Sequence, residues 1–138
     1  MDSDGRSSYT RMASFLDHPE RFDCTFFGVS RDEAWYLDPQ QRLMLEVGYE
    51  ALDQAGHDKY DLAGEMIGCF IGVCNSDWAG VMRGTKATAY TGTAVALSLC
   101  ANRVSYTLGL KGPSMCFDTA CSSALVACDA ACLNLRGG

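Results

Sequence analysis

A continuous apolar run from Met66 to Cys74 constrains the fold of this chain more than any other feature of its sequence. Apolar residues without polar alternation are typical of a strand that is buried on both faces, as in a parallel sheet. Two glycines within the run, Gly68 and Gly72, predict that another segment of backbone comes close to this strand. A second strand is predicted from Ser114 to Asp118.

Helical patterns precede, separate and follow the two strands. The first helix begins at Asp38 and Pro39, because aspartate caps helices well and proline suits their first position. Gln41 is placed to reach back to the cap, as in a capping box, and Gly56 ends the helix. Two further helical runs are predicted from Ala94 to Leu108 and from Ser122 to Arg136. The order helix, strand, helix, strand, helix predicts an α/β fold, with a parallel sheet and flanking and buried helices.

Length and composition predict one globular domain. The chain has 138 residues, of which 48% are hydrophobic and 20% are charged, a balance typical of folded proteins. Residues 1–8 are rich in Asp, Ser, Gly and Arg, and they predict a disordered lead-in. Residues 9–138 form the predicted domain.

Charge and hydropathy exclude several classes of function. The formal net charge is -6 and no stretch clusters Lys and Arg, which argues against binding to nucleic acid. No apolar run reaches the roughly 18–20 residues needed to span a bilayer, so no membrane span is predicted. The polar, acidic first residues predict no signal peptide, and we expect a cytoplasmic protein.

Eight cysteines are many for a chain of this length. Disulfides are not expected in a cytoplasmic protein, where thiols are kept reduced. A zinc site is disfavoured because the sequence has no CxxC motif and no histidine close to the cysteines. We therefore predict mostly buried, reduced thiols and no bound metal ion.

Cys121 stands where the second strand passes into the last helix, within the stretch Asp118 to Leu125. The first N–H groups of a helix lack intrahelical partners and the helix dipole favours negative charge, so both stabilise a thiolate over a thiol. Sites in parallel sheets also form beyond the carboxyl ends of the strands. These arguments predict that Cys121 is the catalytic residue, an acyl-accepting nucleophile. The alternative is a small buried core cysteine.

The other candidate side chains carry weaker signals. Cys116 lies within the strand, and Cys128 and Cys132 lie within the helix, where we expect a thiolate to be desolvated. A nucleophilic cysteine normally works with a histidine, but His18 and His57 stand in no motif and are predicted surface residues.

One arginine is the only charge of the helical run from Ala94 to Leu108. This residue, Arg103, is interpreted as part of a structural ion pair or a subunit contact rather than as a catalytic group.

The stretch around Cys121 resembles the active-site motif of β-ketoacyl synthases, in particular the ketosynthase domains of modular type I polyketide synthases. Further pieces resemble that family in order and spacing: Phe22-Asp23 with Phe26-Phe27-Gly28-Val29-Ser30, Asp38-Pro39-Gln40-Gln41-Arg42-Leu43 with Glu50-Ala51-Leu52, and Ala101-Asn102-Arg103-Val104-Ser105-Tyr106 with Lys111-Gly112-Pro113-Ser114. The resemblance extends from about Ser8 to Gly138, nearly the whole chain.

The resemblance implies part of the N-terminal half of a thiolase-like fold and an enzyme of the acyltransferase class. Cys121 would hold an acyl group as a thioester. Substrates would arrive on the phosphopantetheine arm of an acyl carrier protein, and the chain itself would bind no cofactor. A malonyl-type extender would be decarboxylated and would attack the thioester in a Claisen condensation, in polyketide or fatty acid biosynthesis. The family also implies a homodimer of the full-length enzyme.

The sequence departs from this family in two respects. The two catalytic histidines of the family lie downstream of the cysteine, and neither His18 nor His57 matches them. The opening strand of the family, before the Tyr9 region, has no counterpart. We therefore expect residues 9–138 to be a partial ketosynthase N-terminal domain that does not complete condensation alone and exposes part of its last apolar helix.

Two other functions stay open on the sequence. The chain could be a catalytically incomplete fragment or subunit that acts as a dimerisation or interaction module. It could also be a cysteine hydrolase, although no partner histidine or asparagine stands in a recognisable context.

Overall fold

The computed structural model describes residues 10–137, so the predicted lead-in at residues 1–8 lies outside the described part of the chain. The described elements, in order, are α1 (Arg31–Tyr36), α2 (Pro39–Gln54), β1 (Cys69–Gly72), α3 (Trp78–Val81), α4 (Thr91–Val95), α5 (Leu99–Leu108), β2 (Ser114–Phe117), a 3₁₀ turn (Ala120–Ser122) and α6 (Ser123–Gly137). Strands alternate with helices, so the predicted α/β class is confirmed.

The two strands form a parallel pair, as predicted, with Cys69 opposite Ser114 and Gly72 opposite Phe117. β1 is shorter than the apolar run from which it was predicted. Its first residue is buried, but Gly72 is exposed, so the prediction that the run is buried on both faces is met only in part. The backbone N–H of Val73 donates to the Phe117 carbonyl at 3.0 Å, which brings the carboxyl ends of both strands to one edge.

The hydrophobic core lies between the sheet and two helices, α2 and α5. Its buried members are Phe27, Val29, Leu45, Leu62, Cys69, Ala101, Val104, Leu108 and Leu110. Because α5 supplies three of these residues and packs against both strands, it is the central helix of the described fold.

α2 begins as the sequence predicts, but its capping box does not form. The Asp38 side chain accepts a hydrogen bond from the Gln40 backbone N–H at 2.8 Å. The Gln41 side chain is buried, and instead of turning back to the cap it donates to three carbonyls of the segment 93–96, at the end of α4. The backbone of that segment is therefore held by a side chain of α2.

The helical run predicted from Ala94 to Leu108 is divided into α4 and α5. Gln41 binds the carbonyls of Thr93, Ala94 and Ala96 where the helix is interrupted. On α5, the Arg103 Nη1 lies 2.6 Å from the Glu33 carboxylate, and its Nε donates to the Gln41 side-chain oxygen at 2.9 Å. This confirms the structural ion pair proposed for Arg103.

The last helix, α6, lies against both strands of the sheet. Ser123 and Ala127 are its buried residues, whereas Leu125 and Leu135 are 76% and 85% exposed. The predicted exposure of this apolar helix is therefore confirmed. Within residues 10–137, no helix combines the length and the apolar composition needed to cross a membrane.

One glycine allows α6 to approach β1. A Cβ added at Gly72 would overlap the backbone of Ser123 and Ala124. The close backbone approach predicted for this glycine is thus confirmed. A Cβ added at Gly68 would instead meet the ring of Phe70, a side chain rather than another backbone.

We expect the Gly72→Ala substitution to lower the free energy of unfolding by at least about 1–3 kcal/mol, since neither backbone can move without disturbing the sheet. Urea unfolding followed by circular dichroism measures this loss. Gly80→Ala is the matched control, because a Cβ there meets nothing within 4 Å and a helical glycine gains stability when replaced by alanine. Equal stabilities of the two variants would show that α6 does not rest on Gly72.

Candidate active site

Cys121 lies at the edge of the sheet where both strands end. It occupies the middle of the 3₁₀ turn that joins β2 to α6, and its side chain is exposed. The predicted order of strand, cysteine and helix is confirmed, with the α-helix itself beginning two residues later at Ser123. Only one side of α6 meets the sheet, in keeping with the predicted exposure of part of this helix.

A buried hydroxyl fixes the turn around Cys121. The Ser123 Oγ, on a residue only 5% exposed, accepts a hydrogen bond from the Thr119 N–H at 2.9 Å. It also donates to the Ala120 carbonyl at 2.7 Å. One side chain thus binds the backbone at both Thr119 and Ala120, the two residues before Cys121, so Ser123 fixes the backbone of the turn that carries the thiol.

The residue before Cys121 has an unusual backbone conformation. Ala120 has a φ of +56°, in the left-handed region that residues other than glycine rarely adopt. Its N–H donates to the Asp118 carboxylate at 3.2 Å, and its carbonyl accepts from Ser123. Strained backbone of this kind persists where the surroundings hold it in place, and it clusters at functional sites. Here it produces the sharp bend that brings Cys121 to the surface.

The cysteines of the sheet and α5 differ from Cys121 in their burial, which raises the pKa of their thiols. Burial raises the pKa of the Cys69 thiol to about 11 and that of Cys100 to about 12. Burial also raises the pKa of Cys116. These three thiols stay protonated near neutral pH and are poor nucleophiles.

Two expectations about the cysteines are wrong. All eight thiols are free, but only Cys69 and Cys100 are buried, so the prediction of mostly buried thiols fails. Cys128 and Cys132 are exposed, so a thiolate would not be desolvated at either position. What distinguishes Cys121 from these two is its place in the turn at the start of α6, since all three are accessible to solvent.

The histidines lie on the surface, as the sequence predicts. The Nδ1 of His18 is 3.3 Å from the Glu20 carboxylate, and His57 follows the end of α2. Neither forms a hydrogen bond with Cys121 in the described structure. Among residues 10–137, no three His, Cys, Asp or Glu side chains converge as a metal site requires.

A cavity of about 460 Å³ lies elsewhere in the molecule, between the N-terminal segment, α1 and α3. Trp35, Trp78 and Arg42 are among its lining residues, and Cys121 is not. The described residues therefore present Cys121 on an open surface rather than within this cavity.

Comparison with known proteins places this geometry in context. The family model described as the β-ketoacyl synthase N-terminal domain matches residues 2–138. The chain is 46% identical over 139 residues to the pikromycin polyketide synthase component PikAII of Streptomyces venezuelae. It is 44% identical over 138 residues to the phenolphthiocerol synthesis polyketide synthase type I Pks15/1 of Mycobacterium bovis.

The fold is also similar to a solved ketosynthase. The ketosynthase from module 6 of the bacillaene synthase of Bacillus subtilis 168 matches with a TM-score of 0.76 and 36% identity, over 89% of this chain and 20% of that one. The two matches to the polyketide synthases named above cover 99% of this chain but only 4% and 6% of the length of those relatives.

We expect the Ser123→Ala substitution to cost about 1–3 kcal/mol of folding stability, because it removes the two hydrogen bonds of the buried hydroxyl, to the Thr119 N–H and the Ala120 carbonyl, each worth about 0.5–1.5 kcal/mol. The exposed hydroxyl of Ser122, which donates to the Thr119 carbonyl at 2.8 Å, provides the control Ser122→Ala with a smaller loss. Thermal unfolding of the two variants measures the difference. Similar losses would contradict the role assigned to the buried hydroxyl.

Proposed function

Because the chain belongs to the β-ketoacyl synthase family, within the N-terminal domain of that family, we propose that Cys121 is its catalytic nucleophile and accepts an acyl group as a thioester. The observation that carries this proposal is the turn that presents the thiol. Cys121 is exposed at the carboxyl edge of the parallel strands and lies at the start of α6. The positive end of the helix dipole lies on this side of the turn and favours the negative charge that develops during acyl transfer.

The proposed acyl transfer follows from this placement. The Cys121 thiolate attacks the carbonyl carbon of an acyl thioester, and a new carbon–sulfur bond forms as that of the donor breaks. The donor leaves as a thiolate and takes up a proton from water. The negative charge on the carbonyl oxygen is stabilised by the backbone N–H of Cys121, as one donor of an oxyanion hole.

In the full enzyme, we propose that the acyl group on Cys121 is extended by a decarboxylative Claisen condensation. A malonyl-type extender loses carbon dioxide, and the resulting carbanion attacks the Cys121 thioester. The names of the relatives favour a polyketide as the product over a fatty acid. The chain alone carries out only the acyl transfer, since neither of its two histidines lies in hydrogen-bond contact with Cys121.

The proposed partner is an acyl carrier protein, which would deliver substrates on its phosphopantetheine arm, with no cofactor bound by this chain. We also propose a homodimer for the full-length enzyme. A cytoplasmic location is supported by the eight free thiols, since reducing compartments keep cysteines in this form.

A second candidate function is an interaction module without catalytic activity. The observation that favours it is the exposed apolar surface of α6, where Leu125, Leu133 and Leu135 are 76%, 57% and 85% exposed. Apolar surface of this kind marks sites of protein association. An interaction module would use this helix for contacts and would leave Cys121 without a chemical role.

Acyl transfer from a small donor separates the two candidates. We expect the 138-residue chain, incubated with an acyl-pantetheine thioester at neutral pH, to gain one acyl group on Cys121, as located by peptide mass spectrometry. Cys121→Ala should abolish the adduct. Cys128→Ala, which removes another exposed thiol from the same helix, should leave it unchanged.

The opposite pattern would contradict the proposal. Acylation distributed equally over Cys121, Cys128 and Cys132 would show that the turn confers no reactivity. A chain that takes up no acyl group but associates through α6, as measured by light scattering, would support the interaction module instead.

A further inference from the structure

β2 attaches to α5 through two polar side chains on the same face. The Ser114 Oγ donates to the Asn102 side-chain oxygen at 2.8 Å. Two residues further along the strand, the Cys116 Sγ accepts a hydrogen bond from the Ala101 N–H at 3.3 Å and donates to the Ser98 carbonyl at 3.5 Å. Alternate residues of a strand share one face, so both groups meet the same helix.

The Cys116 thiol acts as a cap for the first turn of α5. The first N–H groups of a helix have no intrahelical partner. Those of Leu99 and Cys100 donate to the Ala96 and Leu97 carbonyls, both at 3.0 Å. The helix has no cap from its own Ser98 side chain. The N–H of the fully buried Ala101 is therefore satisfied by a sulfur atom from another element.

The protonated form of Cys116 is needed for this arrangement, because only a thiol donates to the Ser98 carbonyl. Burial raises the pKa of Cys116, and the N–H of Ala101 lowers it by a smaller amount. Cys116 therefore remains a thiol at neutral pH and makes both contacts.

We propose that Cys116 is a positioning residue for Cys121, because its thiol fastens β2 to the first turn of α5 just before the strand enters the Cys121 turn. The inference rests on the function proposed for Cys121. β2 ends at Phe117, one residue after Cys116, and the Asp118 carboxylate that binds the strained Ala120 follows at once. A β2 that shifts relative to α5 moves Asp118 and with it the direction of the Cys121 thiol.

Another cysteine provides a matched control. Cys100 lies on α5 next to Ala101 and is 1% exposed, so its truncation to alanine removes the same atom from a site at least as buried. Its thiol makes no hydrogen bond within the described residues. Cys100→Ala therefore reproduces the cavity left by Cys116→Ala without removing the cap of α5.

The experiment measures the alkylation rate of Cys121 relative to that of Cys128 in the full chain, by peptide mass spectrometry with iodoacetamide over pH 6–9. We expect Cys116→Ala to lower this ratio by roughly fivefold, the change that corresponds to one neutral hydrogen bond. Cys116→Ser retains a hydroxyl that donates and accepts, and should restore most of the ratio. Cys100→Ala should leave the ratio unchanged.

Amide hydrogen exchange at Ala101 gives a second measurement. It does not require Cys116→Ala to fold, because it uses the unmodified chain and Cys116→Ser. In the unmodified chain and in Cys116→Ser, the Ala101 amide should be as protected as the amides in the middle of α5. Rapid exchange at Ala101 in the unmodified chain would overturn the proposal, as would an unchanged alkylation ratio in folded Cys116→Ala or an equal fall in Cys100→Ala.

The outcomes for Cys116 and for the proposed function are distinct. If the unmodified chain forms no acyl thioester on Cys121 and the ratio still falls in Cys116→Ala, the proposed acyl transfer fails while the positional link holds. If the thioester forms and the ratio does not respond to Cys116→Ala, the acyl transfer holds and this inference fails.

Discussion

A close approach of two backbones at Gly72 determines where α6 and the Cys121 turn lie on the sheet. α6 reaches β1 only because Gly72 has no side chain between the strand and the peptides of Ser123 and Ala124. That contact places the first turn of α6 over the carboxyl ends of both strands. The buried Ser123 hydroxyl then fixes the turn, and Cys121 is left at its outer side. A bulkier residue at Gly72 would displace all of these features together.

A second, polar constraint holds the helices that support the sheet. The buried Gln41 side chain binds three carbonyls at the end of α4, and Arg103 joins it to Glu33. An unpaired polar group at such a depth would be costly, so these partners specify one arrangement of the helices. α5 is held on this side by Gln41 and on the other by β2 through Cys116. The Cys121 turn is thus connected to the helical layer by hydrogen bonds rather than by apolar packing alone.

The sequence was sufficient for the parts of the fold that are set by local chemistry. The start of α2 followed from Asp38 and Pro39, and the parallel pairing followed from the apolar run that contains β1. The position of Cys121 between strand and helix also followed from the residue pattern. The division of the helical run from Ala94 to Leu108 did not, because it depends on Gln41, more than fifty residues away.

The remaining differences also have their origin in tertiary contacts. No local signal marks Ala120 for a positive φ, since alanine normally favours helical or extended backbone. Ser123 accepts one hydrogen bond and donates another only once the turn is formed. In the sequence, the one indication of this role is a hydroxyl two residues after the cysteine. The exposure of Cys128 and Cys132 depends on how much of α6 the sheet covers. The role of Cys121 as a nucleophile remains a proposal.

We propose that the turn at the start of α6, and not exposure alone, makes Cys121 reactive. The most direct test compares the second-order alkylation rates of Cys121, Cys128 and Cys132, all exposed on one helical segment, in native buffer and in concentrated urea. If the turn confers the reactivity, Cys121 reacts fastest in native buffer and the three rates converge when the chain unfolds. Equal rates in native buffer, or an excess at Cys121 that persists in urea, would contradict it.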